Sequence, residues 1–246
     1  MVTTVINEHV VRLGSPLVNW YLLEEGGQVT VVDAGLPGYR DQLSAGLQQL
    51  GRSETDVAAV VLTHGHGDHT GVAEMLRTEL GVPVFVHEAD AEMARTGKRQ
   101  GKNESSFVPY LRHGAAWGLL REIIGNGGLK TRPIRELSTY AAGDELEVPG
   151  RLRVIFTPGH SDGMCSLLAG EASTLFVGDA MCSRNPLTGV AGPQLMPSAL
   201  NRDNAQALWS LERLSHSGAV VMLPGHGEPM DDPDSAIADA QRRGKT

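Results

Sequence analysis

Short runs of apolar, mostly β-branched residues recur along the chain, and each is bounded by Gly, Pro or Asp. Such runs are typical of β-strands. In the first third of the chain they predict strands over residues 2–6, 18–23, 29–32, 57–62 and 82–86. Apolar residues at helical spacing predict two intervening helices, over residues 40–50 and 71–80. Because strands and helices alternate, this pattern indicates an α/β protein.

The second half of the chain repeats the arrangement. It predicts strands over residues 152–156, 165–168, 174–177 and 220–223, and helices near residues 201–214 and 233–243. The segments VTVVDAG (29–35) and TLFVGDA (174–180) occupy matching positions, and each is an apolar strand followed by an aspartate, Asp33 or Asp179. We therefore expect a single domain over residues 1–246 that is built from two similar halves.

Residues 88–142 interrupt this pattern with helical stretches, and we expect them to form a helical insertion, called the cap below. From Arg95 to Arg135 the chain has nine Lys or Arg against Glu104 and Glu122, a net charge of +7. The whole chain carries −8, which leaves −15 for the rest. Two interpretations stay open: a solvated helical face, or a cap whose positive field attracts an anionic substrate.

Length and composition narrow the class of protein. A chain of 246 residues with 41% hydrophobic residues is ordinary for one α/β domain. Its longest apolar run, residues 57–62, is far shorter than the roughly 20 residues of a membrane helix, and no secretory signal pattern is visible. We expect a cytoplasmic protein with no membrane partner. The net charge of −8 disfavours a nucleic-acid partner, and Cys165 and Cys182 are expected to be reduced packing residues.

Five of the nine histidines lie in three Gly-containing segments, each directly after a predicted strand: THGHGDHTG (63–71), TPGHSDG (157–163) and LPGHGEP (223–229). Gly65 and Gly67 accept backbone angles that let the first loop direct its side chains to one point. Imidazole nitrogen and carboxylate oxygen are common ligands of Zn²⁺. These segments hold enough such groups for two metal sites.

Together with VDAG (32–35) and GD (178–179), these segments resemble, in order, the five sequence motifs of the metallo-β-lactamase superfamily. The resemblance spans almost the whole chain. It implies a four-layer αββα sandwich, here with a helical insertion, and a metal centre at the edge where the two sheets meet. It also implies which residues bind: His64, His66 and His160 one metal, Asp68, His69 and His226 the second, and Asp179 both.

The same resemblance implies roles for residues around the ligands. Asp33 would order the histidine-rich loop without touching a metal. Asp68 faces the solvent between the metals, so it is the candidate for passing a proton to the leaving group. His87 ends a predicted strand on the side of the histidine-rich loop and is a candidate for supporting a ligand or lining the pocket. His9, His113 and His216 are interpreted as surface residues.

Two zinc ions that share a water would lower its pKa and give a bridging hydroxide at neutral pH. Asp179 makes the chain resemble the glyoxalase II, lactonase and thioesterase branches, because β-lactamases of the superfamily usually lack an acidic residue there. Glyoxalase II has a C-terminal glutathione-binding domain, whereas 20 residues follow His226, so glutathione thioesters are not expected. The leading hypothesis is a di-zinc hydrolase of a small ester, lactone or thioester, with an anionic substrate suggested by the cap.

Three alternatives remain. A persulfide dioxygenase with a single iron resembles this family closely, and imidazole and carboxylate suit iron as well as zinc in one or both sites. A β-lactamase is a lesser option. A non-catalytic metal-binding protein is disfavoured because all seven ligand positions are filled. Substitution of Asp179 by Asn should abolish turnover in a hydrolase but leave partner binding by a scaffold unchanged.

Overall fold

The computed structural model describes residues 2–98, 101, 103 and 105–246. Its strands are β1 Val2–Val5, β2 Val10–Gly14, β3 Asn19–Glu25, β4 Gln28–Val32, β5 Val57–Val61, β6 Val84–His87, β7 Ser138–Tyr140, β8 Arg153–Phe156, β9 Cys165–Ala169, β10 Thr174–Gly178, β11 Cys182–Arg184, β12 Ala191–Gln194 and β13 Val221–Pro224. Its α-helices are α1 Gln42–Gln49, α2 Ala73–Leu80, α3 Ala91–Thr96, α4 Gly114–Gly125, α5 Asn204–Ser210 and α6 Pro233–Arg243. Short 3-10 helices cover Pro37–Tyr39, Glu54–Asp56, Glu88–Asp90, Val108–Arg112, Gly128–Lys130 and Leu211–Leu214.

The strands form two mixed sheets and a small ribbon. The larger sheet runs β1 to β7 in chain order; its pairs are antiparallel as far as β4 and parallel from β4 onwards. The smaller sheet has the order β13-β10-β9-β8, with β10 and β13 parallel. β11 and β12 pair as a separate antiparallel ribbon.

Side-chain alternation along the strands explains how these sheets stack. Successive residues of a strand point to opposite faces. In β3, Trp20 and Leu22 belong to the core against α1 and α2, whereas Tyr21 and Leu23 belong to the core between the two sheets. A third core lies between the smaller sheet and α5 and α6. Three cores separate four layers, which confirms the expected αββα sandwich.

The strand β2 was not predicted, because Arg12 interrupts its apolar run. All five residues of β2 are buried in the structure. Arg12 is accommodated there because its guanidinium donates to the carboxylate of Glu228, with 3.0 Å between Nη2 and Oε1. The helix expected near residue 201 begins later, at Asn204, where the Asp203 carboxylate accepts a hydrogen bond from the backbone of Gln206 at 2.8 Å.

The cap contains α3, α4, three of the 3-10 helices and, near its end, β7, which pairs in parallel with β6 at the edge of the larger sheet. The hydroxyl of Tyr39 donates to Glu122 of α4 and so joins the cap to the body. The cap's described Lys and Arg side chains are exposed, while Arg99, Lys102 and Glu104 lie outside the described residues. No helix in the described part of the chain is long and apolar enough to cross a membrane.

Candidate metal centre

Five segments with chemically active side chains follow the ends of strands that point the same way. Asp33 follows β4, the histidine-rich loop follows β5, His160 lies after β8, Asp179 follows β10 and His226 lies after β13. β8, β10 and β13 are mutually parallel within the smaller sheet, as β4 and β5 are within the larger one. The side chains that follow both sets of strand ends converge at one edge of the sandwich.

The seven side chains predicted as ligands come together at this edge. Their potential ligand atoms form two groups, within each of which the atoms lie within 4.8 Å of one another: the first trio, His64, His66 and His160, and the second trio, Asp68, His69 and His226. Asp179 lies between the trios, because its Oδ2 is 3.3 Å from Nε2 of both His160 and His226. Six of the seven are buried, and Asp68 is partly exposed.

Four of the five histidine rings of the centre are oriented by a contact at Nδ1, the ring nitrogen that faces away from the centre. Four histidines have Nδ1 in contact with an oxygen partner: His64 with Thr63 Oγ1 at 3.0 Å, His69 with Asp33 Oδ2 at 2.9 Å, His160 with Asn201 Oδ1 at 3.1 Å, and His226 with the Leu17 carbonyl. In metal sites such a partner fixes the orientation of the imidazole and its tautomer. The four Nε2 atoms are thereby directed to the centre, and His66 presents Nδ1, which is 2.8 Å from Nε2 of His160.

Several of the potential ligand atoms have no hydrogen-bond partner within the described part of the protein, as expected of atoms that bind a metal. Among the described residues, Nε2 of His64, Nε2 of His69 and Oδ1 of Asp179 are buried without a hydrogen-bond partner. A buried polar atom left unpaired costs about 1–3 kcal/mol, and buried charges are normally paired or coordinate metals. Imidazole nitrogen with carboxylate oxygen is a ligand set for zinc or iron, so the residues present suit such ions.

The electrostatics of the centre favour an ionised carboxylate. Burial raises the pKa of Asp179, but the neighbouring histidines His226, His69 and His160 lower it by more. The net result is a pKa well below the usual range of an aspartate. Burial lowers the pKa of His69, whereas Asp179 and Asp33 raise it, with a net result of about 10. Burial, together with His69 and His66, holds the pKa of His64 well below its usual range. Asp179 is therefore a carboxylate at neutral pH, the form that binds a cation.

Asp33 lies against the histidine-rich loop. Its Oδ1 accepts a hydrogen bond from the backbone of Thr63 at 2.8 Å, and its Oδ2 contacts Nδ1 of His69 at 2.9 Å. One carboxylate therefore contacts both ends of the segment that carries four of the seven side chains. Thr63 and Asn201, which hold His64 and His160, were not singled out from the sequence. Thr63 at least adjoins the motif, whereas Asn201 is 41 residues from His160 and has no signal in the sequence.

The absence of a side chain at Gly225 leaves room for the carboxylate of Asp179. A Cβ atom built on Gly225 would lie 2.2 Å from Oδ1 of Asp179 and 2.6 Å from Cε1 of His69. Both distances are far below van der Waals contact. Any larger residue at position 225 would therefore displace the carboxylate that lies between the trios.

His87 lies apart from the seven. It is buried, its ring stacks on Phe156 with 4.7 Å between centroids, and it meets the edge of Tyr140 at 5.8 Å. Its Nδ1 accepts a hydrogen bond from the backbone of Ala89 at 3.2 Å. Burial lowers the pKa of His87. These contacts place His87 among aromatic side chains at the end of β6.

A cleft of about 200 Å³ opens beside the centre. One wall is the histidine-rich loop and the other is the cap, with lining residues Gly65, His66, Gly67, Asp68, Met93, Gly97, Ile123 and Gly128. Asp68 is the one predicted ligand that combines partial exposure with a place in this wall. A small molecule in the cleft would contact both the centre and the cap.

Known proteins are similar to this chain in sequence and in fold. The chain is 28% identical over 235 residues to the uncharacterized protein YobT of Bacillus subtilis, which covers 93% of the chain and 91% of that protein. It is 26% identical over 230 residues to the probable metallo-hydrolase YflN of the same species. This alignment covers 87% of the chain and 82% of YflN.

Among solved structures, a metallo-beta-lactamase family protein from Thermus thermophilus is 30% identical, with a TM-score of 0.67 over 96% of the chain and 78% of that protein. The family model of the metallo-beta-lactamase superfamily matches residues 14–226. The chain therefore belongs to the metallo-beta-lactamase superfamily.

Proposed function

We propose that this chain is a metal-dependent hydrolase that cleaves a small ester, lactone or thioester, with two zinc ions as its cofactors. The observation that carries the proposal is the pair of trios joined by Asp179 beside an open cleft. Membership of a superfamily of mostly hydrolases supports the reaction class, as does similarity to YflN, whose name is probable metallo-hydrolase.

In this proposal the first trio would hold one metal and the second trio the other, and the Asp179 carboxylate would contribute to both sites. When bound, the metals supply Lewis-acid chemistry, which lowers the pKa of water toward neutrality and stabilises negative charge on a substrate oxygen. The alternative, a persulfide dioxygenase that uses one iron, has the same motifs, so the metal content and the reaction of the purified chain must separate the two. The presence of Asp179 disfavours β-lactamase activity.

Asp68 has the position required of a proton carrier. Its side chain is 19% exposed, in contrast to the buried histidines of its trio, and it lines the cleft. Oδ2 of Asp68 lies 3.7 Å from Nε2 of His226 and 4.0 Å from Nε2 of His69. The carboxylate can therefore carry a proton at the wall of the cleft and donate it to the departing oxygen or sulfur.

The cleft suits a small acyl group. Met93 and Ile123 give its cap wall an apolar surface, and the glycines at positions 65, 67, 97 and 128 leave room for a substrate. Seven exposed basic side chains of the cap are described: Arg95, Lys98, Arg112, Arg121, Lys130, Arg132 and Arg135. Because exposed like charges create a field that attracts ions of opposite sign, we propose that the substrate carries a negative charge.

The test is a hydrolysis screen of p-nitrophenyl esters, lactones and acyl-CoA thioesters with the purified protein, before and after chelation. We expect chelator-sensitive hydrolysis that Asp179→Asn reduces by orders of magnitude without loss of the far-ultraviolet circular dichroism. Asp232→Asn, at the start of α6, is the matched control and should retain full activity. Oxygen consumption with glutathione persulfide, one iron per chain and no hydrolysis would refute the proposal and support the dioxygenase.

A further inference from the structure

A buried carboxylate outside the seven predicted ligands connects two of the loops that carry them. Asp90 ends the 3-10 helix Glu88–Asp90, directly before α3, and is fully buried. None of the ion pairs formed within the described residues involves it. Its carboxylate instead accepts three hydrogen bonds, at Oδ2 from the Gly65 backbone (2.9 Å) and the Ser161 hydroxyl (2.7 Å), and at Oδ1 from the Gly163 backbone (2.7 Å).

The three donors come from the loops of the first trio. Gly65 lies between His64 and His66, and Ser161 and Gly163 follow His160 within three residues. The ring nitrogens of His66 and His160 that lie 2.8 Å apart belong to the same two loops. The carboxylate of Asp90 therefore joins the backbone on one side of the first trio to the backbone on the other.

The backbones of both loops also pack tightly against Asp90. A Cβ atom built on Gly163 would lie 2.7 Å from both Cγ and N of Asp90. A Cβ atom built on Gly65 would lie 3.1 Å from the Asp90 carbonyl oxygen. Glycine in both loops therefore allows their backbones to approach Asp90 closely. Hydrogen bonds to a charged acceptor are roughly twice as strong as neutral ones, which suits such a tight junction.

The second trio is held by other groups. His69 contacts Asp33 through Nδ1, and His226 contacts the Leu17 carbonyl. The loop of His226 is further fixed by Asn19, whose Nδ2 donates to the carbonyls of Pro224 at 2.9 Å and Gly227 at 2.7 Å. None of these contacts passes through Asp90. A change at Asp90 should therefore act on the two trios unequally.

We propose that Asp90 is a positioning residue, which sets the spacing between the His64–His66 segment and His160, so that its loss weakens metal binding at the first trio more than at the second. The inference rests on the metal centre of the proposed function. It does not depend on which bond that centre cleaves.

The test is titration of the metal-free protein with Co²⁺ and Zn²⁺, followed by visible absorption and by ¹⁵N NMR of the imidazoles, which assigns each binding step to its histidines. Asp90→Asn keeps the shape of the side chain but places an amide NH₂ against at least one of the three donors. Loss of such outer contacts typically lowers metal affinity by about 10–100-fold. We expect that loss at the first trio, an altered Co²⁺ spectrum, and an affinity at the second trio that changes by less than about threefold.

Two further variants separate positioning from general stability. Glu74→Gln removes another buried carboxylate, which accepts from Arg77 in α2 and lies outside both loops; it should lower the melting temperature with metal affinity unchanged. Ser161→Ala removes one of the three donors and should weaken the first trio by a smaller factor than Asp90→Asn. If Asp90→Asn does not fold, Ser161→Ala alone decides, and an unchanged affinity overturns the proposal.

The proposal is also overturned if Asp90→Asn binds both ions with wild-type affinity and spectrum while it loses stability as Glu74→Gln does. A wild-type protein that binds no ion would overturn it together with the proposed function. A wild-type protein that binds two ions, shows the expected Asp90 effect and hydrolyses nothing would refute the hydrolase proposal and support the role of Asp90.

Discussion

Replacement of Asn201 by Ala tests whether the orientation of His160 is set by a residue far away in the sequence. Asn201 is fully buried just before α5. Its Oδ1 lies 3.1 Å from Nδ1 of His160, and its Nδ2 donates to the carbonyl of Met196 and to Oδ1 of Asn204, both at 3.0 Å. Alanine removes all three hydrogen bonds and leaves their partners buried.

The expected loss of stability follows from the three hydrogen-bond partners that Asn201→Ala leaves unpaired. A buried polar group that loses its partner costs about 1–3 kcal/mol, so even at the lower limit the three together cost about 3 kcal/mol. For a chain of this length, each kcal/mol lowers the melting temperature by about 2–4 °C. Asn201→Ala should therefore melt about 6–12 °C lower. Because His160 also loses the contact that orients its ring, zinc affinity at the first trio should fall by about 10–100-fold.

The assay is zinc titration in competition with a chromophoric chelator, together with thermal unfolding of the metal-free protein. Asn185→Ala is the matched control, because Asn185 is also buried and its Oδ1 accepts from the backbones of Leu187 at 3.0 Å and Thr188 at 2.9 Å, outside the centre. The control should lose stability but not zinc affinity. Equal zinc affinity for Asn201→Ala and wild type would show that Asn201 does not set the orientation of His160.

Three further predictions follow from the centre, the body and the cap. Gly225→Ala should lower the zinc content from two ions per chain, because its Cβ would lie 2.2 Å from Oδ1 of Asp179; an unchanged content in elemental analysis would contradict this. The hydrogen bond from Arg77 lowers the pKa of Glu74, so this carboxylate stabilises the fold at neutral pH and the effect is lost as the pH falls through the lowered value. The difference in urea midpoint between wild type and Glu74→Gln should accordingly shrink on acidification, and a difference that grows would be evidence against it. If the cap attracts anions, kcat/KM for an anionic ester should fall with added salt while that for a neutral analogue stays constant; identical salt dependence would argue for a merely solvated face.

The sequence predicted the parts of the fold that rest on local pattern. The continuous apolar run over residues 20–23, typical of a strand buried on both faces, is visible in the sequence, as is the helical spacing that buries Leu43 and Leu47 of α1. Prediction was wrong where a tertiary partner overrides the pattern. Arg12 interrupts an apolar run, and only the contact with Glu228, 216 residues away, allows a charged residue inside the buried strand β2.

At the candidate centre, too, the residues in local motifs were predicted and some of their distant partners were not. The seven predicted ligands are found together because their motifs adjoin strand ends, and strand ends converge in this fold. Asp33, which contacts the histidine-rich loop, was named from its own motif, whereas Asp90 and Asn201 were missed, since they are 25 and 41 residues from Gly65 and His160, the groups that they contact. The place of His87 against Phe156 depends on how the two sheets stack, which no local pattern encodes.

Two groups of side chains on one edge of the sandwich are proposed to hold a pair of catalytic metal ions. The most direct test of this proposal is elemental analysis of the purified chain, coupled to ester, lactone and thioester hydrolysis before and after chelation and after zinc is restored. We expect close to two zinc ions per chain, with hydrolysis that disappears on chelation and returns with zinc. A chain that binds a single ion, or that hydrolyses its substrate equally well without metal, would contradict it.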